Sequence, residues 1–310
     1  MKSLLVYIPS FNRYEFLIRQ ISTLITSIEN NKLQNVRIIV RDNASTDHRY
    51  LSLNNEFTRP YIKFRRNKLN VGIAANIIKG FEEGSWDYIW ILSDDDNISD
   101  SALSIIRHEV NKKEYDLFFL NCEVKGSESL KDGDEIFSSM EYFEKFSMLS
   151  MMGFISANVY SSKIKQHIEL MYLYAFTLFP QVAGVIKMTQ QEHFSVKCIG
   201  DRMVKWTPGN RSYSHIVDRA YVNALCFTEI INCRICKKKY KEKYLKDFGV
   251  SHYISVATKS KDNVKKAIFQ VGPLTVAILW GKSIGRRVLK QLYATYRNAL
   301  QGLGRQGRQG

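Results

Sequence analysis

Three consecutive carboxylates, Asp94-Asp95-Asp96, directly follow the apolar run Tyr88-Ile89-Trp90-Ile91-Leu92. A short apolar run of that kind reads as a buried strand. Carboxylates at the carboxyl end of a parallel strand are where an α/β sheet presents a divalent cation together with a phosphorylated ligand. Adjacent acids repel one another and burial raises their cost, so a cation is the partner that makes them tolerable there. The chemistry these residues favour is that of an enzyme acting on phosphate-bearing molecules.

Three further polar segments could join them. Pro9-Ser10-Phe11-Asn12-Arg13 follows the first apolar run; Pro9 is expected to halt that strand, and Asn12 and Arg13 offer donors to phosphate or ribose. Asp42-Asn43-Ala44-Ser45-Thr46-Asp47 is an Asx-rich turn after the second apolar run. Asn70-x-Gly72, with Asn76 beyond it, sets a glycine at a helix start, where backbone can approach a ligand closely.

The elements that must position these segments alternate in the manner of a parallel sheet. Leu4–Ile8 and Val36–Val40 are strands, with a shorter strand around Tyr61–Phe64. Leu17, Ile21, Leu24, Ile25 and Ile28 recur at helical spacing, which predicts an amphipathic helix over 14–29. Helices are expected over 73–83 and from Asp100 to Asn111, the latter capped by Ser99, with strands at 87–93 and Tyr115–Leu120. A polar, Gly-containing loop spans 123–137; a helix at 138–148 and a strand at Phe154–Tyr160 follow. Beyond 160 the pattern gives helical stretches near 163–176 and 215–236 and short strands near 195–199 and 203–206.

Charge is placed unevenly over the 310 residues. Residues 1–233 carry 27 basic and 27 acidic side chains, whereas 234–310 carry 18 and 3, so the whole net charge of +15 lies in the last quarter. Such an asymmetry points to an anionic surface as partner. The neutral first 233 residues argue against a nucleic-acid groove, and no recognition module is present, so no nucleic acid is expected. The tail is mostly helical by pattern, and its apolar run Leu274–Trp280 is too short to span a bilayer. With Arg286, Arg287 and Lys290 after it, the segment 274–290 fits the membrane interface and attracts anionic lipid.

In order along the chain, Ile8 to Arg13, Val40 to Asp47, Asn67 to Asn76 and Ser93-Asp94-Asp95-Asp96 resemble the family 2 glycosyltransferases, inverting enzymes that use nucleotide sugars and have the GT-A fold. The resemblance covers residues 1–125 and weakens beyond. It implies an α/β fold, Rossmann-like, with a mostly parallel sheet flanked by helices, to which the charge and pattern of the tail add a basic, mostly helical C-terminal extension. The expected division is a nucleotide-sugar-binding half at 1–125, an acceptor-binding half of the same catalytic domain at 126–236, and, from charge and pattern, a basic helical, membrane-associating tail at 237–310.

By the same resemblance Pro9, Ser10, Asn12, Arg13, Asp42, Asn70, Gly72, Asn76, Asp94 and Asp95 meet the nucleotide sugar, with Asp42 on the base. Asp94 and Asp96 match the family's Asp-x-Asp motif and would hold Mg²⁺ or Mn²⁺ against the diphosphate. Ser93 stands where many members have an acid, which leaves room for a one-residue shift in that motif's register. The general base of an inverting transfer has no clean match, and Glu169, Glu192, Asp201 and Asp218 are the candidates. Trp206 and Asn210, in Trp-Thr-Pro-Gly-Asn, suit an acceptor site, Trp by stacking on a sugar face, and resemble a segment of the abequosyltransferase-like branch. The implied partners are a nucleotide-diphospho-sugar donor, a surface-polysaccharide or lipid-linked glycan acceptor, and the cytoplasmic membrane surface.

The alternatives are a sugar nucleotidyltransferase, disfavoured because Pro9-Ser10-Phe11-Asn12 replaces its Gly-rich basic loop, and a basic nucleic-acid-binding protein. Five cysteines without regular spacing give no disulfide framework, and no signal-peptide h-region follows Met1, so a reducing cytosolic setting is expected. Cys233-x-x-Cys236 has no second pair, and its helical context favours two buried thiols over a metal or redox site.

Overall fold

The computed structural model describes residues 1–122, 130–146, 151–205 and 223–248. Met1–Asp247 form one compact unit. Its strands are β1 (Leu4–Ser10), β2 (Val36–Asp42), β3 (Ile62–Arg66), β4 (Tyr88–Ile91), β5 (Asn97–Ile98), β6 (Leu117–Cys122), β7 (Glu135–Ile136), β8 (Asn158–Ser161) and β9 (Val196–Lys205). The helices are α1 (Tyr14–Asn30), α2 (Leu53–Glu56), α3 (Ile73–Glu82), α4 (Ala102–Lys112), α5 (Ser139–Lys145), α6 (Ile168–Leu173), α7 (Pro180–Met188) and α8 (Arg234–Phe248).

One sheet runs in the order β3-β2-β1-β4-β8-β6-β9-β5, with β7 also on β9. The first four strands are parallel, β8 is antiparallel to both β4 and β6, and β6 and β9 are parallel again. The chain winds outward from β1 through β2 to β3, then returns to place β4 on the other side of β1. In an open α/β sheet that reversal opens a crevice at the carboxyl ends of the two inner strands. The strands around it are apolar runs buried throughout, as expected where both faces are covered; Leu5, Val6, Tyr7 and Ile8 of β1 and Ile89, Trp90 and Ile91 of β4 are fully buried. Helix α1 packs with α4, and α3 packs with α6 and α7.

Pro9 does not halt β1, which continues to Ser10 with Pro9 opposite Arg41 of β2. The alternation of strand hydrogen bonds explains why. Tyr7 accepts the Leu92 N–H at 2.9 Å on the β4 side and Ser10 accepts the Asn43 N–H at 2.9 Å on the β2 side. Pro9 shares Tyr7's side, where the β1–β4 pairing has already ended at Tyr7 and Ile91, so its missing donor interrupts no ladder.

Elsewhere the predicted elements recur with shifted bounds. Helix α4 begins at Ala102 with Ser101, not Ser99, in the cap position and without a side-chain cap hydrogen bond; Ser99 pairs with β9 instead, its N–H donating to the Met203 carbonyl at 2.9 Å. The two short strands expected near 195–199 and 203–206 are the single strand β9, bent at Gly200 (φ 70°) and Arg202 (φ 49°) where its register on β6 shifts. The stretch 163–176 breaks into 3₁₀ turns around the short helix α6. Helix α7 carries no clear periodicity because it is buried all round except at Lys187; a Cβ at its Gly184 would lie 2.5 Å from Met171 Cε of α6, so the two helices meet at this glycine. Among the described residues no helix is long and apolar enough to cross a membrane. The expected interfacial segment 274–290 lies outside the described residues, as do parts of the expected 123–137 loop and 215–236 helix; the described part of that helix is instead a 3₁₀ turn, Ala224–Glu229, followed by a break before α8 begins at Arg234.

Candidate active site

At the carboxyl ends of β1, β2 and β4 opens a cavity of about 650 Å³. Pro9, Ser10, Asn12 and Arg13 line it from the end of β1, and Asn70, Gly72 and Asn76 from the turn into α3. Ser93 and Asp94 close it after β4, and Ile155 and Leu178 supply apolar wall from the second half of the unit. The crevice of the strand-order reversal and the four motif segments therefore coincide.

Arg13 supplies a cation to this site. Its guanidinium reaches Asp94 Oδ1 at 3.1 Å and Asp95 Oδ2 at 2.8 Å. Asp94 also accepts from Ser10 Oγ at 2.6 Å, and Ser93 Oγ donates to Asp95 Oδ1 at 2.5 Å. Tyr50, which precedes α2, ties the opposite wall: its hydroxyl meets Ser10 Oγ at 2.7 Å and accepts the Arg13 N–H at 2.9 Å. Asp96 turns the other way, accepting Ser156 Oγ at 2.6 Å. Ser156 is fully buried; its Oγ accepts the Ser93 N–H at 2.9 Å, and its carbonyl accepts the Trp90 indole N–H at 2.7 Å. One serine, 60 residues downstream of Asp96, thus fixes the carboxylate, the preceding turn and the core tryptophan together.

Burial sets the electrostatics. The Asp94 carboxyl is pushed up to about 6 by desolvation, against the pull of the Arg13 guanidinium and Ser10. Asp96 is pushed up to about 7, again by burial, with Ser156 opposing it and the neighbouring carboxylates adding to it. Burial is thus the first cause of both shifts, and it disfavours the ionised form of each acid. The donors are all oxygen and hard, the class of ligand that Mg²⁺ or Mn²⁺ takes, although Asp96 faces Ser156 and is not among the residues lining the cavity. Among the described residues no group of three or more His, Cys, Asp or Glu side chains converges on a common point.

The third wall is a lattice of asparagines. Asn43 donates to Asn70 Oδ1 at 2.8 Å and accepts from Asn67 Nδ2 at 2.9 Å and from the Val71 N–H at 3.0 Å. Asn67 also donates to Asn76 Oδ1 at 2.9 Å, while the Asn76 carbonyl accepts from the hydroxyl of Tyr7 at 2.7 Å. Gly72 caps α3 at φ 82°, a conformation that side chains disfavour, and a Cβ there would meet nothing within 4 Å; the backbone, not the space, demands glycine. Asn12 sits at φ 54° with its Oδ1 accepting the Thr46 N–H at 2.8 Å, which joins the first motif to the second.

Of the other expected residues, Asp42 is buried and engaged by Arg66 and by the Ser45 N–H at 2.9 Å, and it does not line the cavity. Glu169 is exposed on α6, and Glu192 is exposed beside a separate depression; neither lines the cavity. Asp201 lies within β9. Asp218, Trp206 and Asn210 lie outside the described residues. Ser156, Tyr50, Asn43 and Asn67 were not singled out from sequence; Asn43 and Asn67 fall inside the motif segments, whereas Ser156 and Tyr50 carry no local signal.

The glycosyl transferase family 2 model matches residues 5–162. Abequosyltransferase RfbV of Salmonella typhimurium is 33% identical over 105 residues, covering 32% of this chain and 30% of that protein. The GalNAc(5)-diNAcBac-PP-undecaprenol beta-1,3-glucosyltransferase of Campylobacter jejuni is 31% identical over 127 residues, 40% of each. The match therefore spans less than half the length of either relative. Among solved structures, S. aureus TarS with UDP-GlcNAc superposes with a TM-score of 0.64 at 12% identity over 89% of this chain and 83% of that one. The mannosyltransferase PcManGT of Pyrobaculum calidifontis, with GDP-Man and Mn²⁺, gives 0.54 at 10% identity over 91% and 88%. These likenesses carry the fold, which is GT-A.

Proposed function

The chain belongs to glycosyl transferase family 2, and from that premise we propose that it moves a sugar, with inversion, from a nucleoside-diphosphate donor to a surface-polysaccharide or lipid-linked glycan. The observation that carries this reading is the cavity of about 650 Å³ at the β1/β4 crevice, where Arg13, Asp94 and the N-terminus of α3 meet. A diphosphate suits that point: the first turn of α3 presents unpaired backbone N–H groups, and Arg13 supplies a fixed guanidinium. Ser10, Asn12, Asn70 and Asn76 provide hydrogen-bonding groups for ribose and sugar hydroxyls, and Gly72 lets the ligand approach the backbone.

Asp94 and Asp96 are the residues that would hold Mg²⁺ or Mn²⁺. When bound, such an ion offsets charge on the departing nucleoside diphosphate as a Lewis acid. Ser10 and Arg13 orient Asp94, and Ser156 orients Asp96. Inversion also needs a base for the acceptor hydroxyl on the face opposite the leaving group. Glu169 and Glu192 are not among the residues lining the cavity, Asp201 lies within β9 and Asp218 lies outside the described residues; the base is sought among these four, with Trp206 and Asn210 as acceptor contacts.

The acceptor places the enzyme at the cytoplasmic face of the membrane. The charge of residues 234–310, 18 basic against 3 acidic, and the 274–290 segment support this. The Campylobacter relative is named for a substrate linked to undecaprenol. Deleting 274–310 should release the protein from anionic vesicles in a sedimentation assay, and unchanged sedimentation would reject the membrane assignment.

The donor reading is tested by a thermal-shift panel with UDP, GDP, CMP and dTDP, each with and without Mn²⁺. Ligand at a hundredfold excess over its Kd stabilises the native state by about 2.7 kcal/mol. A Mn²⁺-dependent shift with one nucleotide supports the reading and names the donor class. A cooperative melt that no nucleotide moves would sink it.

A further inference from the structure

Away from the donor cavity, α8 begins at a pair of cysteines that the transferase chemistry does not use. Cys233 directly precedes the helix and is exposed, contrary to the expectation of two buried thiols; Cys236, on the first turn, is buried. The Cys233 carbonyl accepts the Lys237 N–H at 2.9 Å and its Sγ accepts the Cys236 N–H at 3.3 Å, so the thiol itself caps the helix. Hydrogen bonding to the side chain and backbone of Cys236 holds the Cys233 thiol below the usual range, whereas burial, first, raises that of Cys236. Ser139 Oγ lies 3.5 Å from Cys236 Sγ and fixes the buried partner. Beside Cys233 is a surface depression of about 380 Å³ lined also by Ser138, Gln190, Glu192, Phe194 and Asn232.

This arrangement differs from that of the other cysteines. Cys122 and Cys198 are buried, the Cys198 thiol pushed up to about 12 by desolvation, and Cys226 is half-buried. An exposed thiol that caps a helix, with a buried thiol three residues on at the first turn, has the parts of a dithiol exchange site: an attacking sulfur favoured as thiolate and a nearby resolving sulfur.

We propose that Cys233 and Cys236 form a dithiol site that is oxidised by small-molecule disulfides at the depression beside α8. The Cys233 thiolate attacks one sulfur of the reagent, the reagent's S–S bond breaks, and one small thiol leaves with the proton that Cys233 gave up. Cys236 Sγ then attacks Cys233 Sγ, the protein disulfide forms, and the second small thiol leaves with the Cys236 proton. The protein loses two electrons and two protons, and the reagent gains them. Spacing of three residues at a helix start is compatible with the Cα separation a disulfide needs. In a reducing compartment such a pair is a sensing or exchange device, not a structural staple.

The test is the full chain in glutathione buffers of graded redox poise, quenched with acid, followed by differential alkylation and peptide mass mapping. Cys233 and Cys236 are expected to convert together to a disulfide, with Cys122 and Cys198 unmodified. In Cys236→Ser a glutathione adduct should accumulate on Cys233, whereas in the wild type it is resolved. Before oxidation Cys233 should alkylate at least about tenfold faster than Cys226. Equal alkylation rates, or a Cys233 adduct that persists in the wild type as in Cys236→Ser, would overturn the assignment.

Discussion

Replacing Asp96 by asparagine preserves the side-chain shape and a hydrogen bond from Ser156 Oγ, while removing a charge that its surroundings disfavour. Its carboxyl is raised from 3.8 to about 7, chiefly by burial. The difference is roughly three units, on the order of 4 kcal/mol of penalty on the ionised form. The sign follows from proton binding. Between pH 3.8 and about 7 the folded state keeps a proton that the unfolded chain has lost, so stability falls as pH rises through that window. Above the window the wild type carries the whole penalty and Asp96→Asn carries none of it. In a unit of this size each kcal/mol moves the melting midpoint by about 2–4 °C, so in chelator at pH 8 the variant should melt higher by roughly 8–16 °C. At about pH 5 the gap should shrink by more than half. Adding Mn²⁺ at pH 8 should raise the wild-type midpoint and leave that of the variant nearly fixed. Differential scanning fluorimetry across pH reads all three. A variant that melts at or below wild type at pH 8, or a gap that does not close toward pH 5, would refute the argument that burial penalises the charge on this carboxylate.

The remaining predictions concern the groups around it. Ser156→Ala leaves the Asp96 carboxylate and the Ser93 N–H without their partner, and should cost about 1–3 kcal/mol in chemical denaturation while weakening any Mn²⁺-dependent nucleotide shift. Arg13→Ala removes the guanidinium shared by Asp94 and Asp95, and nucleoside-diphosphate affinity by calorimetry should fall about tenfold or more. Gly80→Ala places a Cβ 2.7 Å from Tyr7 Cδ1 and 2.9 Å from Ile91 Cδ1, beneath the site, and should destabilise the fold by about 1–3 kcal/mol without touching the cavity; an unchanged midpoint would contradict the packing described.

Legibility followed the range of the interaction. The alternation of β1, α1, β2, α3, β4 and α4 was readable because apolar periodicity is a local property that survives without tertiary context. It blurred where burial was complete, as in α7, and where a backbone kink joined two runs, as in β9. Strand Pro9 was misread because its effect depends on which side of β1 its missing donor faces, and that is settled by where β4 stops.

For the site, the residue types and their order carried the family likeness, and eight of the expected donor-site residues, Pro9, Ser10, Asn12, Arg13, Asn70, Gly72, Asn76 and Asp94, line one cavity. Sequence by itself determined which polar side chains follow which strands, because each motif is a turn bounded by its own apolar run. Tertiary structure alone decided what those side chains do to one another. It brought Ser156 to Asp96 across 60 residues and engaged Asp42 with Arg66 instead of leaving it on the cavity wall. It exposed Cys233 while burying Cys236. It also raised Asp94 and Asp96 toward neutrality, since desolvation depends on everything packed around a group and has no signature in the chain's order.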